Sequence, residues 1–103
     1  ILINSDYSPW IVVTIVCKFA KKNNMNEDCL IKNFGVFLYL LRTDKKISQE
    51  RLAELCQLDR TYISLLERGH RQPTLMTLFK ISKAFDLNLS NLLELFENQY
   101  ENR

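Results

Sequence analysis

Two short helical segments joined by about three residues constrain the fold of this chain more than any other feature. Ser48 stands just before the first segment, residues 49–56, where its hydroxyl can accept an orphan backbone N–H. Asp59 occupies the same position before the second segment, residues 60–68. Because the connection is short, the two helices must cross at a large angle, and Ala53 is small enough for that close approach.

Apolar residues at helical spacing predict three further helices. The first begins at Leu30, and the last follows a cap at Ser90. Between them, Thr74 caps a helix over residues 75–85, and Gly69 supplies the left-handed residue that ends the preceding segment. The expected apolar faces are Phe34, Phe37, Leu38 and Leu41 in the first helix, Leu75, Leu78, Phe79 and Ser82 in the fourth, and Leu89, Leu92, Leu93 and Phe96 in the fifth.

The composition favours a single helical domain. With 103 residues and 47% apolar side chains, the chain has material for one core. Its two glycines and two prolines are too few for a Gly-rich phosphate loop or many hairpins. The three cysteines are odd in number and lack the close pairing of a zinc or redox motif, so we expect reduced thiols and a cytoplasmic protein.

The residue types needed for catalysis are scarce. His70 is the one histidine, which leaves almost no material for a Cys–His nucleophile or a histidine-rich metal site. Cys56 falls on the apolar face of its segment, where a core position is expected rather than a reactive one. We therefore expect no enzyme activity, no catalytic residue, no metal, no cofactor and no small-molecule ligand.

Basic residues are concentrated in the middle of the chain. Nine basic residues oppose five acidic ones over residues 42–83, whereas four acidic residues meet only Arg103 from residue 84 onward. A basic region of this kind suits nucleic acid, although such charges can also simply solvate helix surfaces. The charge pattern alone therefore leaves the function open.

Residues 1–29 form an N-terminal extension to the predicted domain. Its apolar run, residues 10–17, is too short for a membrane span, and no basic region precedes it as in a secretory signal. The run could form a β-like arm or an added helix, and we expect no membrane partner. A further hypothesis is that native translation begins at Met25, because Met25 to Asp28 reads like a start.

The central region resembles the phage repressor and Cro-like helix-turn-helix regulators, also called the XRE family. The segments that carry the resemblance are residues 47–55, 58–69 and 73–75, and it extends over roughly residues 34–96. The resemblance implies an all-α fold. It further implies that residues 30–103 form a compact five-helix lambda-repressor-like DNA-binding domain.

Two details of the resemblance concern single positions. Arg42 and Glu67 look like the salt bridge that joins the first and third helices in the family. Gln57 is a departure, because the family often has glycine in the turn, so Gln57 requires a strained or alternative turn conformation.

The outer face of the third helix has the dimensions and polarity to enter the major groove of double-stranded operator DNA. Arg60 could donate two hydrogen bonds to guanine, and Leu65 could touch a thymine methyl group. Residues around this face suit contacts to base edges or phosphates. The predicted DNA-binding residues are Gln49, Arg60, Thr61, Tyr62, Ser64, Leu65, Arg68, Arg71, Gln72 and Thr74.

The last helix carries more apolar surface than one small core requires, which predicts a homodimer. Two-fold pairing would place two recognition helices about 34 Å apart on a palindromic operator. The alternative is that these apolar residues only close the core of the monomer. The expected dimerisation residues are Leu92, Leu95, Phe96 and Tyr100.

The sequence thus predicts a sequence-specific, autoregulatory transcription regulator of bacterial or phage type. Residues 58–67 and the short length after Met25 resemble the controller proteins of restriction-modification systems, although phage repressors and antitoxin-type autoregulators share the same segment. A competing hypothesis is a protein-interaction adaptor that keeps this fold without sequence-specific DNA binding. An adaptor would tolerate Arg60→Ala and Ser64→Ala, whereas a regulator would lose operator affinity.

Overall fold

The computed structural model describes residues 27–101 of the chain, and this range is built from helices without a strand. This confirms the expected five-helix, all-α fold. The apolar run at residues 10–17 and the hypothesis of a start at Met25 lie outside the described residues. The helices are Glu27–Asp44 (α1), Gln49–Cys56 (α2), Arg60–Glu67 (α3), Leu75–Ala84 (α4) and Leu89–Glu101 (α5).

Helix α1 begins earlier than the predicted start at Leu30. Glu27 and Asp28 lie in its first turn, where negative side chains favour the positive end of the helix dipole. Cys29 in the same turn is already buried. The predicted boundary between the extension, residues 1–29, and the domain, residues 30–103, therefore falls inside a helix, and the first turn of α1 is part of the folded unit.

One hydrophobic core joins all five helices. At its centre, the rings of Phe34 and Phe96 meet edge to face with centroids 5.4 Å apart, and Phe37 lies 5.4 Å from Phe96. This geometry adds to the stabilisation from burial alone. The other buried members of the cluster are Leu38, Leu52, Ala53, Cys56, Ile63, Leu66, Ile81, Phe85, Leu92 and Tyr100.

Helix α1 crosses α3 at Gly35 with no space for a side chain. A Cβ atom on Gly35 would lie 2.5 Å from the carbonyl oxygen of Leu66 and 2.6 Å from that of Glu67. Both of these atoms belong to the backbone, so they cannot rotate away as a flexible side chain would. Glycine at this position therefore sets the distance between α1 and α3.

The turn between α2 and α3 is stabilised by its backbone. Gln57 adopts the left-handed conformation, with φ of 58° and ψ of 45°, which is the strained one of the two possibilities predicted for a non-glycine residue in this turn. Its N–H donates to the carbonyls of Ala53 and Glu54, and the N–H of Leu58 donates to Ala53 over 2.9 Å. These bonds occupy two of the last four carbonyls of α2.

The structure confirms the predicted helix ends at three positions and differs from the prediction at two. The hydroxyls of Ser48 and Thr74 each accept a backbone N–H over 3.0 Å, and Gly69 has the expected positive φ of 76°. Asp59 has the extended backbone of a cap, but its side chain makes no capping hydrogen bond. Ser90 is not a cap, because α5 begins at Leu89 and Ser90 therefore lies inside the first turn.

Helix α4 is rotated relative to the predicted orientation. Its buried residues are Thr77, Ile81 and Ser82, whereas Leu75 and Phe79 are exposed although both were assigned to the core face. Because successive residues of a helix are about 100° apart, the true buried face lies about a quarter turn from the predicted one. None of the described helices is long and apolar enough to cross a membrane.

Candidate nucleic-acid interface

Helix α3 presents two chemically different faces. Ile63 and Leu66 point into the core and have no solvent exposure. On the opposite side, Arg60, Thr61 and Arg68 are exposed. Ser64 and Leu65 are partly buried at the edge of this outer face. The structure thus brings the predicted base-contacting residues of the third helix onto one surface, as their spacing indicated.

A buried ion pair locks α3 to α1. Arg42 donates from Nε to Glu67 Oε2 over 2.6 Å and from Nη2 to Oε1 over 3.1 Å, which makes the contact bidentate. Its Nη1 donates to the carbonyl of Ile47 over 2.8 Å. The two side chains are only 12% and 5% exposed, so solvent screens the interaction weakly. This is the salt bridge that the family resemblance implied.

Gln49 belongs to the same cluster. Its Nε2 donates to Glu67 Oε1 over 3.0 Å, so one carboxylate connects α1, α2 and α3. A glutamine amide carries two N–H donors and one carbonyl acceptor, so one donor can hold Glu67 while the second contacts a phosphate. The sequence predicted a DNA contact for Gln49 but not its bond to Glu67, which requires knowledge of the tertiary structure.

Tyr62 and Thr74 connect α3 to the first turn of α4. The Tyr62 hydroxyl lies 3.2 Å from the Oγ1 of buried Thr77, which itself lies 2.9 Å from the Oγ1 of Thr74. Tyr62 is partly buried, and its hydroxyl is directed into this network. The Tyr62 hydroxyl therefore links α4 to α3, and its contact to the DNA backbone stays a prediction.

The segment between α3 and α4 extends the exposed surface. Arg71, Gln72 and Thr74 are exposed, as the predicted phosphate contacts require. The N–H of His70 donates to the carbonyl of Leu65 over 2.9 Å, and this bond fixes the start of the segment. Together with Arg60 and Arg68, these residues give α3 a basic surround.

The predicted dimerisation residues divide between core and surface. Leu92 has no exposure, and Phe96 and Tyr100 are 8% and 9% exposed, so these three close the core of the monomer instead of forming a dimer surface. Leu95 alone is accessible, at 42%. It lines a groove of about 250 Å³ between α1 and α5, together with Phe37, Leu40, Leu41, Asp44 and Gln99.

Cys56 is a buried thiol with a raised pKa. Burial raises the pKa of this thiol from 9.0 to about 11, and the charge of Lys80 lowers it only in part. The Sγ donates to the carbonyl of Lys80 over 3.8 Å. The neutral thiol therefore packs as a small hydrophobic group. Among the described residues, no group of three or more His, Cys, Asp or Glu side chains could hold a metal ion.

Comparison with known proteins places this geometry in a family. A family model described as "Helix-turn-helix" matches residues 38–92. The control protein C.BamHI of Bacillus amyloliquefaciens is 45% identical over 62 residues, which cover 59% of this chain and 76% of that protein.

Solved structures agree with this result. The restriction-modification controller protein C.AhdI from Aeromonas hydrophila shares 42% identity and has a TM-score of 0.57 over 60% of this chain and 94% of that chain. The controller C.Esp1396I, solved as a tetramer with its natural 35 base-pair operator, shares 31% identity and has a TM-score of 0.64, with 69% and 93% coverage. The chain therefore belongs to the helix-turn-helix family of the phage repressor and Cro type, whose members are DNA-binding transcription regulators.

Proposed function

We propose that this protein is a sequence-specific transcription regulator that binds a palindromic operator as a homodimer. The observation that carries the proposal is the geometry of α3. One face is locked into the core by Ile63, Leu66 and the Arg42–Glu67 ion pair, and the opposite face presents polar and basic side chains to solvent. A rigid short helix with such a face matches the major groove of DNA.

The roles of individual residues follow from their exposure. Arg60 lies in the first turn of α3, where a guanidinium can donate to O6 and N7 of guanine. Thr61, Ser64 and Leu65 contact neighbouring base edges. The residues that surround the helix contact phosphates, and they position the protein without specifying sequence. This outer group comprises Gln49, Arg68, Arg71, Gln72 and Thr74.

The relatives named above support a narrower assignment within the proposal. C.BamHI is a control protein, and C.AhdI and C.Esp1396I are restriction-modification controllers. We propose the same kind of controller role for this chain, together with the autoregulation that the sequence analysis predicted. No catalytic activity forms part of the proposal, and the site of action is the cytoplasm, where bacterial DNA is located.

The experiment is selection of random duplex DNA on the purified protein at physiological salt, followed by sequencing. We expect a two-fold symmetric site with half-sites about one helical turn apart. If each dimer contacts about six phosphates, log K for that site falls against log salt with a slope of about −5. Recovery of no preferred sequence would contradict the proposal and favour the adaptor hypothesis.

A pair of matched variants separates base contacts from general charge effects. Arg60→Ala removes an exposed positive charge from the outer face of α3. This variant should weaken operator binding by about 1–3 kcal/mol and relax the specificity at one base pair. Arg51→Ala removes the same charge from α2, where the arginine is 57% exposed and pairs with Glu54. Equal losses for the two variants would refute a specific role for Arg60.

A further inference from the structure

The groove between α1 and α5 has no role in the proposed DNA-binding surface. Its lining residues are found on these two helices, and none of them is among the proposed DNA contacts. Leu95 is 42% exposed there, whereas Phe37 and Leu40 are almost completely buried. The volume of about 250 Å³ is below the roughly 300–1,000 Å³ of pockets for small-molecule ligands. The groove therefore suits a large side chain better than a separate ligand.

The lining of the groove combines an apolar surface with an acidic acceptor. Phe37, Leu40, Leu41 and Leu95 supply the apolar part. Asp44 is exposed at the C-terminal end of α1, and its carboxylate can accept hydrogen bonds. A tryptophan side chain matches such a lining, because its ring buries a large apolar area and its indole N–H needs an acceptor.

The one tryptophan of the chain, Trp10, begins the apolar run at residues 10–17. The run lies outside the described residues, but its separation from α1 along the chain is fixed by the sequence. Because α1 rises 1.5 Å per residue, Phe37 and Asp44 lie about 15 Å and about 26 Å from Glu27 along the helix axis. The ten peptide steps from residue 17 to Glu27 span up to about 33 Å. The run can therefore reach every part of the groove while α1 stays intact.

We propose that the groove between α1 and α5 binds the apolar run at residues 10–17 of the same chain, with Trp10 against Leu95 and Asp44. Apart from Thr14, every residue of the run is apolar, so its contact with water is unfavourable. A tether of this length gives an effective concentration in the mM range, and weak contacts are then enough to hold the run. The proposal does not depend on DNA binding.

A second copy of the chain fits the groove less well than the tethered run. An interface between two separate molecules needs about 1,000 Å² of buried surface with good complementarity. Among the described residues, Leu95 is the one large hydrophobic side chain exposed at this groove, so the area that it offers is small. The tethered run avoids this requirement because its association is intramolecular.

Fluorescence of Trp10 in the full chain tests the proposal, because the sequence contains no other tryptophan. The folded chain should emit at a shorter wavelength than the denatured chain and should be protected from quenching by acrylamide. Leu95→Asp should raise the acrylamide quenching constant by about twofold or more, because binding of the run would bury the new carboxylate. The matched control Leu55→Asp changes a leucine of α2 that is also 42% exposed, and it should leave the emission unchanged.

A thermodynamic cycle supplies a second readout without an added charge. Trp10→Ala and Leu95→Ala each remove one side of the proposed contact. In urea denaturation, the double variant should lose less stability than the sum of the losses of the two single variants. The pair Trp10→Ala and Leu55→Ala should be additive, since Leu55 does not line the groove.

Three results would overturn the proposal. The first is a folded parent chain in which Trp10 emits and is quenched as in denaturant, and the second is additivity of Trp10→Ala and Leu95→Ala. The third is protection of Trp10 that is lost when the parent chain is diluted, because the run would then bind a second copy. Sedimentation of Leu95→Asp and of the parent chain identifies the remaining occupant. A change of oligomeric state with unchanged Trp10 emission would assign the groove to a second copy instead of the run.

Discussion

Gly35→Ala tests whether the crossing of α1 and α3 sets the stability of the fold. A Cβ atom placed on Gly35 lies 2.5 Å and 2.6 Å from two carbonyl oxygens of α3, whereas ordinary contacts begin near 3.4 Å. The helices must therefore separate by close to 1 Å to admit one methyl group. That shift loosens the packing of Leu66, which has no exposure in the structure.

The magnitude follows from two opposing effects. Overpacking a well-packed core lowers the free energy of unfolding by about 1–3 kcal/mol. Gly35→Ala should lie at the upper end of this range, because it displaces backbone atoms. Alanine at a helix interior is favoured over glycine by about 1 kcal/mol. The expected net loss in the free energy of unfolding is therefore about 1–2 kcal/mol, or a fall in Tm of roughly 4–16 °C for a domain of this size.

Chemical and thermal denaturation of Gly35→Ala and Gly35→Ser measure this loss. The serine variant should be the less stable of the two, since its hydroxyl needs more room in the same gap. Operator affinity of the folded fraction should also fall, because α3 carries the proposed base contacts. A Gly35→Ala protein at least as stable as the parent would refute the reasoning, since helix propensity would then outweigh the close approach.

Three further predictions concern the turn, the ion pair and the buried thiol. Gln57→Gly should raise the free energy of unfolding by about 0.5–1 kcal/mol, because it removes a left-handed non-glycine residue, whereas Gln57→Ala should not, and urea denaturation distinguishes them. Glu67→Gln should cost about 3 kcal/mol by leaving Arg42 buried without its counter-charge, whereas Glu54→Gln in an exposed pair should change stability by less than about 0.5 kcal/mol. The raised pKa of Cys56 favours the protonated thiol in the folded state, so its contribution to stability is complete below pH 9.0 and is lost as the pH rises towards about 11. The parent chain should therefore lose about 2 kcal/mol more than Cys56→Ala between these pH values, as followed by denaturation at each pH.

The sequence predicts best those features that depend on residues close together in the chain. The caps Ser48 and Thr74 act through atoms only three residues away, and Gly69 acts through its own backbone. Such interactions are visible in the sequence because both partners are neighbours. The pair Arg42 and Glu67 is 25 residues apart, and it was predicted only because the family resemblance supplies the tertiary contact.

The errors arise where tertiary packing decides between local alternatives. Ser90 has the residue type of a cap, but α5 begins one residue before it, at Leu89. On α4, Leu75 and Phe79 look like core residues because they are large and apolar at helical spacing. Thr77 occupies the core side instead, since its hydroxyl bonds to Thr74 and lies within reach of Tyr62. Periodicity alone cannot distinguish a core face from an apolar face that stays exposed in the monomer.

The position of the proposed DNA-binding face of α3 depends on the tertiary structure rather than on α3 alone. Helix α3 has eight residues, and isolated helices of that length are unstable in water. Its orientation depends on close contact at Gly35, the carboxylate of Glu67 and the hydroxyl of Tyr62, none of which needs to touch DNA. Substitutions on the outer face should therefore change DNA affinity without changing stability. Substitutions at these three supporting residues should lower DNA affinity and stability together. Comparing the two changes for one substitution therefore shows whether its residue contacts DNA or supports α3.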